Sequence, residues 1–254
     1  MFWDNIKWKK KKTFIMLEIS SLDMSFAGNK VLNGFSYTFQ GGKKYAIMGP
    51  NGSGKTTLFN IINGFLRSDK GTIKFKGENI NSYPPYKIAE LGVARTFQDL
   101  RLLLSLTVEQ NIFIAIQNKA DEHFPHAFFP RTHADVIEKT ELLLNRMNLW
   151  EIRNSKAGEI SYGQQKLLTL AMAMANDFDL LLIDEPVAGI QPKYRDEIAT
   201  ILISLEKTVI FIEHNTSFIQ EVAPNVLFLD GGAIVVEGNL KTLRNNPVVQ
   251  EAYL

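Results

Sequence analysis

The chain contains no cysteine and carries almost no net charge. None of its 254 residues is cysteine, and the formal net charge at pH 7 is +1. The first absence excludes disulfide bonds and cysteine metal sites, and it suits a reducing compartment. The second argues against a nucleic-acid-binding domain, because such a domain carries an obvious basic surface. We therefore expect no nucleic-acid partner.

Long hydrophobic runs are also missing from the sequence. The longest apolar stretches, such as residues 167–175, fall far short of the roughly 20 residues that a helix needs to span a bilayer. The hydrophobic share of 45% is ordinary for a globular protein. If this chain takes part in a membrane process, we expect the membrane-spanning part to belong to another chain.

A glycine-rich segment matches the phosphate-loop pattern G-x-x-x-x-G-K-[ST] at every fixed position. It reads GPNGSGKT at residues 49–56 and lies between a predicted short strand and a predicted helix. A glycine bend followed by a helix N-terminus directs backbone N–H groups and the helix dipole at an anion. In this pattern Lys55 reaches the outer phosphates and the Thr56 hydroxyl ligates Mg²⁺. The sequence therefore predicts a nucleoside triphosphate site made of Asn51, Gly52, Ser53, Gly54, Lys55, Thr56 and Thr57.

Two adjacent acids end a second apolar segment, DLLLIDEP at residues 179–186. The pattern predicts a buried parallel strand with its acids at the carboxyl edge, where ligands bind in open α/β sheets. We expect Asp184 to hold Mg²⁺, through water, and Glu185 to polarise the water that attacks the γ-phosphate. The alternative is that both acids cap the next helix, which Pro186 would suit. Capping alone does not explain two acids at the end of an apolar strand.

A third segment, ISYGQQ at residues 160–165, lies between these two sites in the sequence. It resembles the signature of the ATP-binding cassette family, which is usually written LSGGQ, with Tyr162 at the first glycine. Ser161 and Gly163 open an apolar helix, predicted at 166–175, and so offer a second helix N-terminus to phosphate. The resemblance implies that Ser161, Gly163 and Gln164 bind the γ-phosphate of a nucleotide held by the opposite subunit. Two cassettes would then enclose two ATP molecules.

Three further residues match the remaining motifs of that family. The resemblance implies that Gln98 contacts Mg²⁺ and the attacking water, that His214 contacts the γ-phosphate, and that Phe26 stacks on adenine. Local hydrogen bonding and core packing are the plainer alternatives for His214 and Phe26, but the order of the five motifs favours the family. The predicted catalytic residues are Lys55, Gln98, Glu185 and His214, and the predicted metal ligands are Thr56, Gln98 and Asp184.

The chain departs from the family pattern after the two acids. The family reads S-A-L-D where residues 188–191 read AGIQ, so that Gln191 replaces the acid. A contact between subunits that needs a negative charge there is in doubt, although an amide still donates and accepts hydrogen bonds. Gln191 is the one sign of a regulatory cassette with impaired hydrolysis, and the intact Glu185 and His214 argue against that class.

Several segments are similar to the ATPase subunits of branched-chain amino acid importers. They are RTFQ at 95–98, LTVEQNI at 106–112, SYGQQ at 161–165, DEPVAG at 184–189 and NPVVQEAYL at 246–254. The resemblance, which spans 16–254, implies an ATPase that couples ATP binding and hydrolysis to solute uptake at the cytoplasmic face of the cell membrane. The implied partners are transmembrane permease subunits, a sister ATPase in a heteromeric pair and, indirectly, a solute-binding protein.

Two alternatives to this function remain open at the level of the sequence. Importers of urea, amides or other amino acids share most of the same motifs. Cassette ATPases outside transport serve translation or DNA repair, but the first type carries two cassettes in one chain and the second a long coiled coil. The sequence has neither a repeat nor a coiled coil.

The implied fold class is α/β, a P-loop NTPase core with an antiparallel β subdomain and an inserted α-helical subdomain. Strand patterns dominate before about residue 97, fade in the middle and return after about residue 177. We expect a basic extension at 1–15, the nucleotide-binding core and β subdomain at 16–97, and the helical subdomain at 98–160. The signature helix, the acid-ending strand and the switch histidine then fall in 161–254. The extension interleaves lysines with aromatic residues, which either contact anionic lipid or form a loosely ordered terminus.

Overall fold

Ten strands and nine α-helices make up the part of the chain that the computed structural model describes, residues 14–97, 100–117 and 133–253. The strands are β1 (Ile15–Phe26), β2 (Asn29–Gln40), β3 (Lys44–Met48), β4 (Lys70–Phe75), β5 (Glu78–Asn79), β6 (Val93–Arg95), β7 (Leu180–Asp184), β8 (Thr208–Ile212), β9 (Asn225–Asp230) and β10 (Ala233–Gly238). The helices are α1 (Lys55–Ile62), α2 (Pro85–Glu90), α3 (Val108–Gln117), α4 (His133–Arg146), α5 (Tyr162–Ala173), α6 (Pro192–Ser204), α7 (Thr216–Val222), α8 (Leu240–Arg244) and α9 (Pro247–Tyr253). A short 3-10 helix covers Trp150–Ile152.

The smaller sheet is antiparallel, with the strand order β2-β1-β4-β5. Its two long strands form a hairpin in which Leu17 lies opposite Phe39 and Ile19 opposite Tyr37. The alternation of apolar and polar residues along β1 buries one face and leaves the other partly exposed. This sheet forms the antiparallel β part of the predicted fold.

The larger sheet has six strands in the order β10-β9-β3-β8-β7-β6. Strands β3, β6, β7, β8 and β9 are parallel, and β10 joins one edge in the antiparallel direction. Every residue of β7 and β8 is buried, as expected for parallel strands that are covered on both faces. Their continuous apolar runs therefore specify the centre of the sheet.

The larger sheet separates two hydrophobic cores. Leu180 and Leu182 of β7 pack in the core that contains α1 and the smaller sheet. Leu181 and Ile183 pack in the other core, together with α3, α4, α5 and α6. Because neighbouring side chains of a strand point to opposite faces, one five-residue strand supports both cores. The predicted α/β class is confirmed.

Membrane-spanning helices are not found in the ranges that the structure describes, because none of those helices combines sufficient length with sufficient apolarity. The predicted basic extension lies outside these ranges except for Phe14 and Ile15, and Ile15 already belongs to β1.

The two cores predict a contrast between buried and exposed leucines. Leu182 is completely buried, whereas Leu142 on α4 keeps 46% of its surface exposed. Leu182→Ala should lower the free energy of unfolding by about 2–5 kcal/mol, because it removes buried methyl groups and leaves a cavity. Leu142→Ala should change it by no more than about 0.5 kcal/mol. Urea denaturation measures both, and equal losses in the two variants would contradict the arrangement of the cores.

Candidate functional site

The glycine-rich segment forms a bend between β3 and α1 that only glycine accommodates at two positions. A Cβ atom on Gly49, at φ 148°, would lie 2.0 Å from the Leu229 carbonyl oxygen. A Cβ atom on Gly54, at φ 98°, would lie 2.7 Å from the Val31 carbonyl oxygen. Since these approaches involve backbone atoms of β2 and β9, the bend is fixed by both sheets. It ends at the N-terminus of α1, where backbone N–H groups are free to bind an anion.

Lys55, the first residue of α1, is held at the centre of this bend. Its Nζ donates hydrogen bonds to the carbonyl oxygens of Gly49 at 2.8 Å and Pro50 at 2.7 Å. Burial lowers the pKa of Lys55, and the nearby carboxylates of Asp184 and Glu185 oppose that shift. The lysine of the loop and the two acids at the end of β7 therefore share one electrostatic environment.

The pairing of the strands brings these acids to the loop. Asp184 lies opposite Ile212 of β8, and Ile212 lies opposite Ile47 of β3. Because the strands are parallel, their carboxyl ends lie at the same edge, where the loop begins. The predicted acid-ending strand and the predicted phosphate loop are thus adjacent in space, although about 130 residues separate them in the sequence.

Asp184 is a buried carboxylate with an unfilled acceptor position. Its side chain is 3% exposed, and Oδ2 accepts no hydrogen bond from the described residues. Burial raises the pKa of Asp184, with Glu185 adding to the rise, whereas Arg95 and a hydrogen bond with Thr56 oppose it. The Arg95 guanidinium lies 3.9 Å away. Leaving a buried charged oxygen without a hydrogen bond is costly, so this atom is suited to a cation.

Glu185 has an uncommon backbone conformation. Its φ is 49°, in the left-handed region that non-glycine residues seldom adopt. The Glu185 N–H donates to the Ile212 carbonyl oxygen at 3.0 Å, and its own carbonyl oxygen accepts from Lys166 Nζ at 2.9 Å. Such strain costs about 1–3 kcal/mol and occurs mainly at functional sites. The two anchors hold the backbone of Glu185 and leave its half-buried carboxylate available.

Glu213 organises the segment that follows β8. Its buried carboxylate accepts three backbone hydrogen bonds, from Val187 at 3.1 Å, His214 at 2.6 Å and Asn215 at 2.8 Å. It therefore joins the segment after Glu185 to the segment that carries His214. Glu213 was not among the predicted site residues, although an acid directly after an apolar strand is a visible signal in the sequence.

Lys166 and Arg95 also act at the site without having been predicted to. Lys166 is only 7% exposed and binds the backbone of Glu185, and a single lysine within the apolar stretch of α5 was its signal. Arg95 donates to Asn60 Oδ1 at 2.7 Å and faces Asp184. Burial lowers the pKa of Arg95 to about 10, and Asp184 opposes that shift.

Of the remaining predicted residues, His214 and Phe26 lie on segments next to the residues just described, and Gln98 lies outside the described ranges. His214 is half-buried directly after Glu213. Phe26 ends β1 and is 43% exposed at the turn before β2, the strand that packs against Gly54. Gln98 lies outside the described residues, so its predicted contacts stay a prediction.

The signature segment forms a helix N-terminus of its own. Ser161 caps α5, and Gln164 Oε1 in turn accepts from the Ser161 backbone N–H at 2.9 Å. This capping box makes α5 begin at Tyr162, so Ser161 opens the helix as predicted, although the predicted apolar segment 166–175 starts four residues later. In the described part of the chain, the hydrogen bonds of Ser161 and Gln164 do not reach the phosphate loop. The predicted role of Ser161 and Gly163 at the nucleotide of a second subunit stays a prediction.

A glycine-rich bend on a parallel sheet, a central lysine and two acids at the end of a strand two positions away define a P-loop nucleoside triphosphatase. The model of the ABC transporter family matches residues 32–188, which is more than half of the chain. This chain belongs to the ABC transporter family, as the signature segment predicted.

The similarity to known proteins extends over nearly the whole chain. The high-affinity branched-chain amino acid transport ATP-binding protein BraF of Pseudomonas aeruginosa is 34% identical over 248 residues, covering 94% of this chain and 97% of that protein. The probable branched-chain amino acid transport ATP-binding protein LivG of Archaeoglobus fulgidus is 33% identical over 244 residues, covering 94% and 95%. The crystal structure of the ADP conformation of an ATP-binding cassette of an ABC transporter superposes with a TM-score of 0.84 at 30% identity, covering 96% and 99%. The predicted cassette fold and ATPase class are confirmed.

Proposed function

We propose that this chain is the ATP-hydrolysing subunit of an ABC importer that takes up branched-chain amino acids. The observation that carries the proposal is that Lys55 lies near Asp184, which ends β7, and Glu185, which follows it. That arrangement suits ATP hydrolysis. The solute class follows from the names of the relatives, which match this chain over nearly their full length.

The oxygens beside the phosphate loop fit Mg²⁺ as the cofactor. Thr56 and Asp184 offer a hydroxyl and a carboxylate, and Asp184 Oδ2 has an open acceptor position. Groups of three or more His, Cys, Asp or Glu side chains able to hold a metal are absent from the described residues. Mg²⁺ typically takes one or two protein oxygens and completes its shell with water and phosphate, and when bound it neutralises charge on the phosphates. Gln98 remains a further proposed ligand.

The chain's own residues divide the work of hydrolysis between positioning and charge stabilisation. Phosphoryl transfer passes through a loose transition state, so catalysis depends on orientation and on cations near the phosphate oxygens. Lys55 and His214 would stabilise the charge, and Phe26 would stack on the base. Glu185 and Gln98 would orient the attacking water, with Glu185 accepting its proton.

A second cassette would complete each site. Ser161, Gly163 and Gln164 would bind the γ-phosphate of the nucleotide in the partner, so that ATP favours the closed pair. A nucleotide shifts such an equilibrium only by its difference in affinity for the two states. Loss of the γ-phosphate removes that difference and the pair reopens. We propose that the pair is heteromeric. We also propose that 98–160 is the helical subdomain and that 16–97 and 161–254 are the remaining domains, while the predicted extension at 1–15 loses Ile15 to β1.

The partners are transmembrane permease subunits, with a solute-binding protein acting through them, and the chain would lie at the cytoplasmic face of the membrane. Purification of the tagged chain from detergent-solubilised membranes tests this directly. The expected copurifying proteins are multi-spanning permeases and a sister ATPase, and the assembled complex should import labelled leucine. Recovery of the chain without any membrane protein would contradict the proposal, and uptake of urea in place of leucine would contradict the solute class.

Removing the charge of Asp184 should abolish the effect of Mg²⁺ on nucleotide binding. In the wild-type chain, Mg²⁺ should strengthen ATP binding by about tenfold or more, which corresponds to ~1.4 kcal/mol. Asp184→Asn should lose that gain and keep its affinity for ATP in the presence of a chelator. Titration with a fluorescent ATP analogue measures both values. The exposed Asp177, before the same strand, provides the control Asp177→Asn, and a full Mg²⁺ effect in Asp184→Asn would rule out this ligand.

A further inference from the structure

Tyr194 lies directly over the signature segment. This residue belongs to the first turn of α6, and its hydroxyl oxygen is 3.1 Å from Ser161 Oγ. A Cβ atom added to Gly163 would lie only 2.1 Å from Cδ2 of the Tyr194 ring. The ring therefore occupies the space beside Gly163, while the hydroxyl reaches the neighbouring serine.

The hydrogen bonds of Ser161 fix which group donates to which. Gln164 Oε1 accepts from the Ser161 backbone N–H at 2.9 Å, which identifies that atom as the amide oxygen. The Ser161 hydroxyl lies 2.9 Å from the same oxygen and donates its single proton to it. Its lone pairs then accept from the Gln164 N–H at 3.4 Å and from the Tyr194 hydroxyl at 3.1 Å. Tyr194 thus completes the set of partners that orients this serine.

The same helix start is joined once more to the segment that follows β7. Lys166 Nζ donates to the Glu185 carbonyl oxygen at 2.9 Å. With the Tyr194 contact, two hydrogen bonds therefore connect the first turns of α5 to residues 185–194.

We propose that Tyr194 is a positioning residue that orients Ser161 and couples the signature segment to residues 185–194, and through them to Glu185. The inference rests on the proposed role of Ser161 at the nucleotide of the partner subunit. A phosphate that binds Ser161 competes with Gln164 for the serine proton, while the Tyr194 hydroxyl still holds the serine oxygen. Occupation of the partner's site is thereby linked to the backbone that carries Glu185 in this chain.

A double-mutant cycle tests the coupling between Tyr194 and Ser161. It uses the full chain in the assembly in which it is purified. Tyr194→Phe keeps the ring against Gly163 and removes the hydroxyl alone. It should lower kcat for ATP hydrolysis about threefold to tenfold, the loss expected for one hydrogen bond, and leave equilibrium ATP binding unchanged. In a Ser161→Ala background the same change should have almost no effect, because the acceptor is gone. Tyr86→Phe, at a residue that is 68% exposed on α2, is the matched control in both backgrounds.

The outcomes separate this inference from the function on which it rests. If Ser161→Ala and Tyr194→Phe each lower kcat and their effects are not additive, Tyr194 acts through the serine. If Ser161→Ala lowers kcat while Tyr194→Phe has no effect, or the same effect in both backgrounds, the positioning role is overturned and the role of Ser161 stands. If Ser161→Ala leaves kcat unchanged, the proposed contact with the partner's nucleotide fails, and the inference falls with it.

Discussion

Glu185→Gln should keep ATP binding and lose at least about a hundredfold in turnover, the low end for removal of a general base. The amide has nearly the same shape as the carboxylate but does not accept a proton from water. The local fold should persist, because the bonds that hold this strained residue come from its backbone, to Ile212 and from Lys166. Steady-state phosphate release measures turnover, and titration with ATP in the cold measures binding.

An exposed glutamate near the same sheet provides the control for this variant. Glu206 precedes β8 on the surface, and Glu206→Gln should retain wild-type turnover and affinity. Full ATPase activity in Glu185→Gln would refute its assignment as the base. Loss of ATP binding in Glu185→Gln would instead assign it a role in holding the nucleotide.

Lys55→Ala should weaken nucleotide binding itself. The ammonium group lies at the centre of the bend, and a charged hydrogen bond to a phosphate oxygen contributes about 1.5–3 kcal/mol. The dissociation constant for Mg-ATP should therefore rise by roughly 10–150-fold. Isothermal titration calorimetry with a non-hydrolysable analogue measures this change without interference from turnover.

The control for Lys55 is Lys43, an exposed lysine at the start of the same strand–loop–helix unit. Lys43→Ala removes the same charge from the chain and should leave the affinity within about twofold, since surface charges contribute little. Equal affinities of Lys55→Ala and the wild type would count against a triphosphate at this bend.

Local sequence signals predicted much of the fold, because many elements here carry their own pattern. The sequence pattern alone predicts a helix at 108–117 and a strand at 208–212, and these are the bounds of α3 and β8. The first follows a T-x-x-Q capping pattern, in which Thr107 and Gln110 exchange hydrogen bonds. The second is a short apolar run that is buried on both faces. In these segments the local preference and the tertiary environment agree.

The residues that the sequence did not reveal act between distant segments. Glu213 binds the N–H of Val187, Lys166 binds the carbonyl of Glu185, and Tyr194 binds Ser161. Such contacts depend on the pairing of β7 with β8 and on the packing of α5 beside α6, which periodicity within one segment does not specify. Ser161 was predicted to open α5 and does so, but the predicted bounds 166–175 left out the first turn, although the capping box that sets it was present in the sequence.

Gln191, which replaces the acid of the family pattern, lies at the start of α6. It precedes α6 as its N-cap, and its side chain makes no capping hydrogen bond. Its amide is exposed and is therefore available to a second subunit. Any contact of this position with that second subunit would be made by a neutral amide and not by a carboxylate.

We propose that a triphosphate binds at the bend before α1 and that Glu185 acts as the base in its hydrolysis. The decisive measurement is the identity of the nucleotide that stays bound to Glu185→Gln after incubation with labelled ATP and Mg²⁺. Chromatography of the released nucleotide should give intact ATP, while the wild-type chain gives ADP. If Glu185→Gln converts ATP to ADP at the wild-type rate, Glu185 is not the base.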